Sequence, residues 1–459
     1  MHSSIIASVS APSRPRPLRE MYSLIGLAIP LIASLTTSTA LGLVDTYMLG
    51  TLGEAVLGAV SLTSSVLLIF YAGLYGLVGP VGILIGQAHG AGEIGKISSI
   101  IRHGLVIALA VGLLSVLIML IGLPLLAQIG QPPEVIARIT PYWVAMSFSL
   151  IPYVMSLVLK QFYDSTDRPW LGLGLTLVAV VFNIAANWVL IFGNLGFPAL
   201  GLAGAGIGSL LGQTAGFAAM MLHYRLTPGN APYRGETVWS LAQFREQLHE
   251  GLPMGIQYLL EGGAVTIAGL FVGLLGATQL AANQVVYSVT SVLYMLPLGM
   301  ASAVTIRVSQ AVGGSENDRL PAITRAALVL VTSWAAGFTV LLLFAGEQIA
   351  AFFVSETDII AAAGAIFVAV SFMQVFDGIQ SVSLGALRGL LDNRWPTAVS
   401  LMGYWLVALP AAYVLGVMMQ GGAAGVWGGF SIGLIFASVL LVGRIRFQFR
   451  RIANGSASL

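Results

Sequence analysis

The sequence has 459 residues, of which 57% are hydrophobic and 8% charged, and its net charge is +2. Soluble domains carry roughly 25% charged residues, so this composition excludes an ordinary water-soluble enzyme. The small net charge does not indicate a nucleic-acid partner, and the absence of cysteine excludes disulfides and thiolate metal sites.

Residues 1–20 are rich in Ser, Pro and Arg and lack the apolar core of a signal peptide, so we expect a tail here. Beyond the tail, apolar segments recur that are long enough to cross a ~30 Å hydrocarbon layer. The sequence therefore predicts an all-α membrane protein with twelve transmembrane helices. The predicted segments are 22–49, 56–86, 100–122, 135–160, 169–192, 203–224, 251–275, 279–307, 321–344, 359–386, 397–418 and 424–443.

The positive charges are distributed unequally between the two sides of these segments. Of the 20 Lys and Arg residues, all except Arg138 fall in the N-terminal tail, in the loops after even-numbered segments, or in the C-terminal tail. The positive-inside rule therefore predicts that both termini are cytoplasmic. Arg388 is assigned by this pattern to the loop after segment ten, and no Lys or Arg is expected deep in a span.

The two halves of the sequence resemble each other. LGEAVLGAV (52–60) is echoed by LGATQLAAN (275–283), and GQAHGAGE (86–93) by SQAVGGSE (309–316), in both cases 223 residues later. Six spans per repeat is an even number, so the repeats are parallel. We expect two six-helix lobes related by a pseudo-two-fold axis along the membrane normal, with the substrate path between them.

The expected domain organisation follows from this repeat. It comprises a cytoplasmic tail (1–20), an N-lobe with spans 1–6 (21–224), a charged cytoplasmic linker (225–250), a C-lobe with spans 7–12 (251–445) and a cytoplasmic tail (446–459).

Three carboxylates lie within apolar spans, namely Asp45, Glu261 and Asp377. A central carboxylate costs ~2.5–3.5 kcal/mol on insertion scales, so such residues usually face a cavity and carry function. Without a nearby permanent positive charge, each must be protonated, bind a cation or face water. The alternative is a purely structural role, in which each carboxyl is hydrogen-bonded to neighbouring helices.

Uncharged polar residues give weaker signals. Asn183 and Asn187 are spaced i, i+4 and share one face of span 5, where they either supply oxygens to Na⁺ or bridge helices. Ser209 on span 6 is more typical of helix packing than of ligand binding.

Polar and aromatic residues on spans 7 and 8 are candidates for lining a substrate cavity. Gln284 and Tyr294 lie on span 8, where both could border one wide cavity. Tyr258 and Tyr287 could make cation–π contacts with a bound drug, although packing is the commoner role of such residues.

Catalytic interpretations have little support. The sequence contains no HExxH, GxxxxGK[ST] or GxSxG motif and no nucleophile–base pair in its spans, so we do not expect an enzyme. Without a nucleotide-binding motif, transport energy should come from an ion gradient. Scattered single carboxylates, rather than a ring of them, argue against an ion channel.

The arrangement resembles the MATE (multidrug and toxic compound extrusion) family. The resemblance rests on VDTYMLG (44–50), GQAHGAGE after span 2, LRG (387–389) after span 10 and the Glu261/Asp377 pair, and it covers residues 20 to 445. The positions of Glu261 and Asp377 are similar to those of the NorM branch.

The resemblance implies roles for individual residues. Asp45 matches the family's span-1 aspartate, which is implicated in cation coupling. Glu261 and Asp377 match the C-lobe carboxylates and a possible Na⁺ site, and Tyr294 in LYMLP matches an aromatic that contacts the cation.

The N-lobe departs from the family pattern at two positions. Relatives with an N-lobe Na⁺ site read Asn-x-x-x-Asp where this sequence reads Asn183-x-x-x-Asn187, and Ser209 stands where they commonly carry Thr. These differences weaken the case for an N-lobe Na⁺ site and leave H⁺ coupling at Asp45 open.

The resemblance thus implies an antiporter of the cell inner membrane, embedded in the lipid bilayer and without an organic cofactor. Twelve spans suffice for a monomeric transporter, so we expect a monomer. It would export amphipathic, often cationic drugs in exchange for Na⁺ or H⁺ by alternating access between the lobes. The alternative within the superfamily is a flippase for lipid-linked oligosaccharides. That function is expected to require deep Lys or Arg residues for the phosphates, and the spans are predicted to lack them.

Overall fold

The computed structural model describes residues 17–128 and 133–454. Within these ranges, twelve helices are long and apolar enough to cross a membrane, which confirms the predicted number. They are α1 (Pro17–Gly50), α2 (Glu54–Gly90), α3 (Ile94–Gly122), α4 (Pro133–Ser165), α5 (Pro169–Phe192), α6 (Leu202–Leu226), α7 (Leu241–Gly273), α8 (Ala277–Gly313), α9 (Leu320–Phe353), α10 (Thr357–Gly389), α11 (Arg394–Met418) and α12 (Gly422–Ala453). A short helix, Leu125–Gln128, follows α3.

The helices extend beyond the predicted apolar segments. α2 and α8 each contain 37 residues, or about 55 Å of helix, which exceeds the hydrocarbon thickness. The difference arises because hydropathy marks only the part of a helix that lies in hydrocarbon, whereas polar residues can continue the same helix into water.

The segments predicted as tails and linker are partly helical. α1 begins at Pro17, so the last residues of the predicted tail belong to a helix, while residues 1–16 and 455–459 lie outside the described residues. The predicted linker 225–250 contains a 3₁₀ turn at Pro228–Tyr233 and the first residues of α7.

α11 departs from regular α-helical geometry. It is π-helical over Leu401–Ala408 and Val414–Met418, on either side of a short α-helical stretch that contains Pro410. Proline has no N–H to donate and its ring clashes with the preceding turn, which favours local widening of the helix. This segment carries Tyr404, which contacts one of the sites described below.

The two lobes meet in a reciprocal contact between repeat-related residues. A Cβ atom on Gly90 would overlap the carbonyl oxygen of Gln310, and a Cβ on Gly313 would overlap the carbonyl oxygen of Gln87. Gln310 and Gly313 lie 223 residues after Gln87 and Gly90, which is the spacing of the sequence repeat. The two halves are therefore related by a pseudo-two-fold axis between α2 and α8.

The lobes touch mainly in the half of the molecule nearer one face. We call this the basic face, because it carries the start of α1, the end of α12 and the loops that contain the arginines. Here the backbones of α2 and α7 approach so closely that Cβ atoms on Gly76 and Gly251 would overlap Met254 and Leu77, respectively. The other side of the bundle is called the opposite face.

α1 packs against both lobes. Its first half contributes Leu24, Leu27 and Leu31 to a core cluster with residues of α8 and α9, such as Met300 and Ile323. The predicted N-lobe, which begins at residue 21, therefore includes a helix whose first turns are buried against the C-lobe.

Candidate functional site

A cavity of about 590 Å³ lies between the lobes. Most of its lining comes from α1, α2, α4, α5 and α6, and the rest comes from α7, α8 and α10. On α4 the lining residues run from Tyr142 to Ser165, which corresponds to about 35 Å of helix. The cavity is therefore elongated along the bundle, and its volume is in the range typical of small-molecule sites.

Four predicted site residues form a hydrogen-bonded chain along the N-lobe wall of this cavity. The Asn187 Nδ2 group donates to Asp45 Oδ1 at 2.7 Å and to Asn183 Oδ1 at 3.1 Å. The Asn183 Nδ2 group donates to the Ser209 hydroxyl at 3.2 Å. Asp45, Asn183 and Ser209 line the cavity, and Asn187 lies behind them, fully buried.

Helix packing explains how this chain forms. Asn183 and Asn187 are one turn apart on α5, and glycines on α6 make room for both side chains. A Cβ on Gly208 would overlap Asn187 Oδ1, and one on Gly212 would lie 2.6 Å from Asn183 Cβ. Asn187 Oδ1 is buried and has no hydrogen-bond partner among the described residues, so an unused acceptor lies next to the Asp45 carboxylate.

The second site surrounds Glu261 in the C-lobe. Glu261 Oε1 accepts hydrogen bonds from Gln257 Nε2 at 3.1 Å, from Gln380 Nε2 at 3.4 Å and from the Ser400 hydroxyl at 3.4 Å. The Gln380 amide also donates to the Tyr404 hydroxyl at 2.7 Å. Three helices therefore direct neutral donors at one carboxylate within the membrane span.

Asp377 and Tyr294 belong to the same neighbourhood. Asp377 lies on α10 one turn before Gln380, close enough to Glu261 for the two carboxylates to repel each other. Tyr294 on α8 is within electrostatic range of both acids. The structure thus groups Glu261, Asp377 and Tyr294, but none of the three is among the residues that line the 590 Å³ cavity.

Of the remaining residues predicted to line the cavity, one does so and two do not. Tyr258 lines the cavity and packs edge-on against Tyr75, with ring centroids 5.4 Å apart. Gln284 and Tyr287 are exposed on α8 and are not among the lining residues. Tyr287 lies two helical turns, or about 10 Å, from Tyr294 toward the opposite face.

The assignment of Arg388 to the loop after segment ten is wrong, because Arg388 is the penultimate residue of α10 and its side chain is buried. Arg388 is only 6% exposed and lines the cavity together with Lys160, whose Nζ lies 2.6 Å from Asp164 Oδ2. α10 continues to Gly389, and side chains on a helix point toward its N-terminus, which for α10 lies at the opposite face. The Arg388 side chain is therefore directed into the bundle rather than into the loop.

Polar contacts also hold the lobes together at the basic face. Arg319 donates to both carboxylate oxygens of Glu20, at 2.9 and 3.1 Å, and Glu20 is 2% exposed. Arg307 donates to Asp167 at 2.7 Å, and the Nε2 atom of His89 lies 3.7 Å from the same carboxylate. Burial raises the pKa of Asp167, but the polar contact with His89 and the Arg307 charge outweigh burial and lower the pKa overall.

No group of three or more His, Cys, Asp or Glu side chains suited to holding a metal ion occurs in residues 17–128 and 133–454. A resident transition metal therefore has no evident site in this part of the chain. A monovalent cation held by one or two carboxylates with neutral oxygens needs no such cluster.

Comparison with known proteins identifies the family. The MatE family model matches residues 30–189 and 253–414, one stretch in each lobe. A protein named probable multidrug resistance protein NorM from Bradyrhizobium diazoefficiens is 32% identical over 445 residues, covering 95% of each chain. A protein of the same name from Pseudomonas aeruginosa is 33% identical, covering 94% of this chain and 89% of its own.

Solved structures share the fold at lower identity. The Vibrio cholerae MATE transporter VcmN in the bent form has a TM-score of 0.85 at 19% identity, covering 95% of this chain and 98% of its own. A structure described as the outward-facing conformation of a multidrug resistance MATE family transporter has a TM-score of 0.85 at 18% identity, covering 96% and 97%. With the family model, the full-length relatives and twelve membrane-spanning helices, the chain belongs to the MATE family and is a NorM-like, multi-pass membrane transporter.

Proposed function

We propose that this protein is a cation-coupled antiporter that exports amphipathic, often cationic compounds across the cell inner membrane, and that it is not an enzyme. The observation that carries the proposal is the cavity between the lobes, which has the Asp45 carboxylate in its wall. A carboxylate in such a cavity can bind a cationic drug, a proton or a metal cation, but not two of them at once.

We place the basic face in the cytoplasm, because the positive-inside rule assigns the Arg-rich side there. Both termini are then cytoplasmic. Because the lobes are in contact at the side proposed to be cytoplasmic, we propose that the cavity opens to the outside in this state. Rocking of the lobes about the α2–α8 contact would expose the same cavity to the cytoplasm.

The two carboxylate sites differ in the ion that they suit. Glu261 and Asp377 bring two acids together, and the Ser400 hydroxyl and the unpartnered Gln380 Oε1 add neutral oxygens nearby, a set suited to Na⁺, with Tyr294 beside them. Asp45 is a single carboxylate without a second acid beside it, which suits H⁺ exchange better than Na⁺ binding. We propose that Glu261 and Asp377 carry the main coupling and that Asp45 contributes from the N-lobe.

Substrate contacts are proposed for both lobes. In the N-lobe wall, Asn183 and Ser209 present neutral polar groups, with Asn187 buried behind them, and Tyr258 lines the cavity from α7. Gln284 and Tyr287 would meet the compound near the opposite face, on its way out. Twelve helices in two lobes form a complete path, so we propose a monomer.

A flippase for lipid-linked oligosaccharides remains the second candidate, because Arg388 places a positive charge in the cavity. The phosphates of such a lipid-linked substrate would bind Arg388, and the substrate would cross the membrane without an ion gradient. The other cation in the lining, Lys160, is already paired with Asp164, which favours drug export.

The test uses purified protein in liposomes preloaded with ethidium, to which a Na⁺ gradient and a pH gradient are applied separately. Dye movement driven by Na⁺ alone supports Na⁺ exchange at Glu261 and Asp377. Movement driven only by the pH gradient makes Asp45, Glu261 and Asp377 proton carriers. Movement under neither gradient contradicts the antiporter and favours the flippase.

A further inference from the structure

Arg388 is a buried cation without a carboxylate partner. No Asp or Glu in the described ranges 17–128 and 133–454 forms an ion pair with it, whereas the other cation in the cavity lining, Lys160, is neutralised by Asp164. Burying an ion costs several kcal/mol unless hydrogen bonds and an opposite charge compensate. The cavity therefore contains one positive charge that makes no direct ion pair among the described residues, and the nearest acid, Glu261, acts on it only across Gln257.

The hydrogen-bonding capacity of this guanidinium is only partly used. Its two terminal amino groups donate to the Tyr258 hydroxyl at 2.8 Å and to Gln257 Oε1 at 3.3 Å. Its Nε atom is buried and has no partner among the described residues. Both partners are neutral, and Gln257 stands between Arg388 and the acid nearest to it, Glu261.

The position of Arg388 is well inside the protein. Its guanidinium lies 4.7 Å from the ring centroid of Tyr258, on α7. Tyr258 is eight residues along α7 from Glu250, whose carboxylate binds Asn393 at the start of α11. Eight residues correspond to about 12 Å, so the charge is remote from the water at the basic face.

We infer that Arg388 binds the carboxylate of substrates that carry both a cationic and an anionic group. This inference rests on the proposed function, because the ligand is an exported amphipathic compound. A guanidinium matches the fork geometry of a carboxylate or a phosphate, and the carboxylate is the anion consistent with the export of amphipathic compounds proposed above. Arg388 lines the same elongated cavity as Asp45, so the carboxylate of a compound held in that cavity can reach the guanidinium.

The test compares two fluorescent probes, rhodamine 110, a zwitterion with a free carboxylate, and rhodamine 123, its methyl ester. Binding to the purified full-length protein is measured by fluorescence polarisation for wild type, Arg388→Gln and Arg388→Lys. Arg446→Gln, which removes an exposed arginine at the end of α12, controls for the loss of one positive charge.

We expect Arg388→Gln to weaken rhodamine 110 binding by about 10-fold or more, the effect of a lost charge-assisted hydrogen bond, and to change rhodamine 123 binding by less than about 2-fold. Arg388→Lys should restore part of the rhodamine 110 affinity, and Arg446→Gln should change neither probe. Equal weakening of both probes would mean that Arg388 only shapes the site, and this result would overturn the inference.

Two further outcomes separate the inference from the proposed function. If wild type binds rhodamine 123 but not rhodamine 110, or if Arg388→Gln leaves rhodamine 110 binding unchanged, the inference is wrong while drug binding stands. If wild type binds neither probe, the proposed drug-binding function fails, and the inference fails with it.

Discussion

Gly86 and Ser309 occupy equivalent positions in the two repeats and meet across the lobe interface. A Cβ atom on Gly86 would overlap the Ser309 hydroxyl, which instead donates to the carbonyl of Ile306 at 2.8 Å. A residue can contact its own repeat equivalent only where the symmetry axis passes between them. The axis therefore runs through this contact, where the two lobes approach backbone to backbone and closure of the basic face is most sensitive to added atoms.

Gly90→Val should therefore prevent full closure of the basic face. The new Cβ would overlap the backbone carbonyl of Gln310, which cannot move aside as a side chain can. Because the chain lacks cysteine, spin labels on Lys96→Cys and Asp318→Cys can report the distance between the lobes. We expect longer distances in Gly90→Val, and unchanged distances in Gly95→Val, where a Cβ has no neighbour within 4 Å.

If Gly90→Val and Gly95→Val gave the same distance distribution, the contact would have no part in closing the basic face. Thermal unfolding of both variants, measured before labelling, would show whether Gly90→Val had instead failed to fold.

The bridge between Asp167 and Arg307 should stabilise the closed state in a pH-dependent way. Because the pKa of Asp167 is lowered, the contribution is complete above the ordinary value of 3.8 and is lost as the pH falls further, through the lowered pKa. The carboxylate is 45% exposed, so we expect under about 1 kcal/mol. The difference in thermal stability between wild type and Asp167→Asn should not decrease as the pH falls from about 8 to 5. A difference that disappears near neutral pH would contradict this assignment.

Asn187→Asp should create a Na⁺ site in the N-lobe. The variant places a second carboxylate beside Asp45, and two carboxylates attract a cation more strongly than one carboxylate and an amide oxygen. Measured with Glu261→Gln and Asp377→Asn also present, the melting temperature should rise by about 1–3 °C in NaCl relative to choline chloride.

The matched control for this variant is Asp45→Asn combined with Asn187→Asp, which moves the charge without adding one. We expect no Na⁺-dependent stabilisation there. An equal Na⁺ response in both proteins would show that the new carboxylate does not cooperate with Asp45.

The sequence predicted the features that depend on local composition. Hydropathy and the repeat were sufficient for twelve spans and the pseudo-two-fold relationship, and helical periodicity placed Asn183 and Asn187 on one face. The sequence alone did not predict which residues of distant helices contact each other. Gln257, Ser400 and Gln380 converge on Glu261 only because α7, α10 and α11 pack there.

Arg388 illustrates the same limit for charges. Its position near the end of an apolar segment predicts a loop, yet the helix continues past it and its side chain turns inward. One partner of Glu261 could have been predicted from the sequence. Gln257 precedes Glu261 by one helical turn within an apolar span, so the two side chains share a helix face.

The measurement that tests the central claim most directly is ethidium transport in liposomes by wild type, Asp45→Asn and the double variant Glu261→Gln/Asp377→Asn, under the gradient that drives the wild type. We expect the double variant to lose gradient-driven transport by about 10-fold or more, because it has no C-lobe carboxylate to exchange a cation, and Asp45→Asn to be impaired as well. Wild-type rates in both variants would show that the intramembrane carboxylates do not couple ion and drug movement.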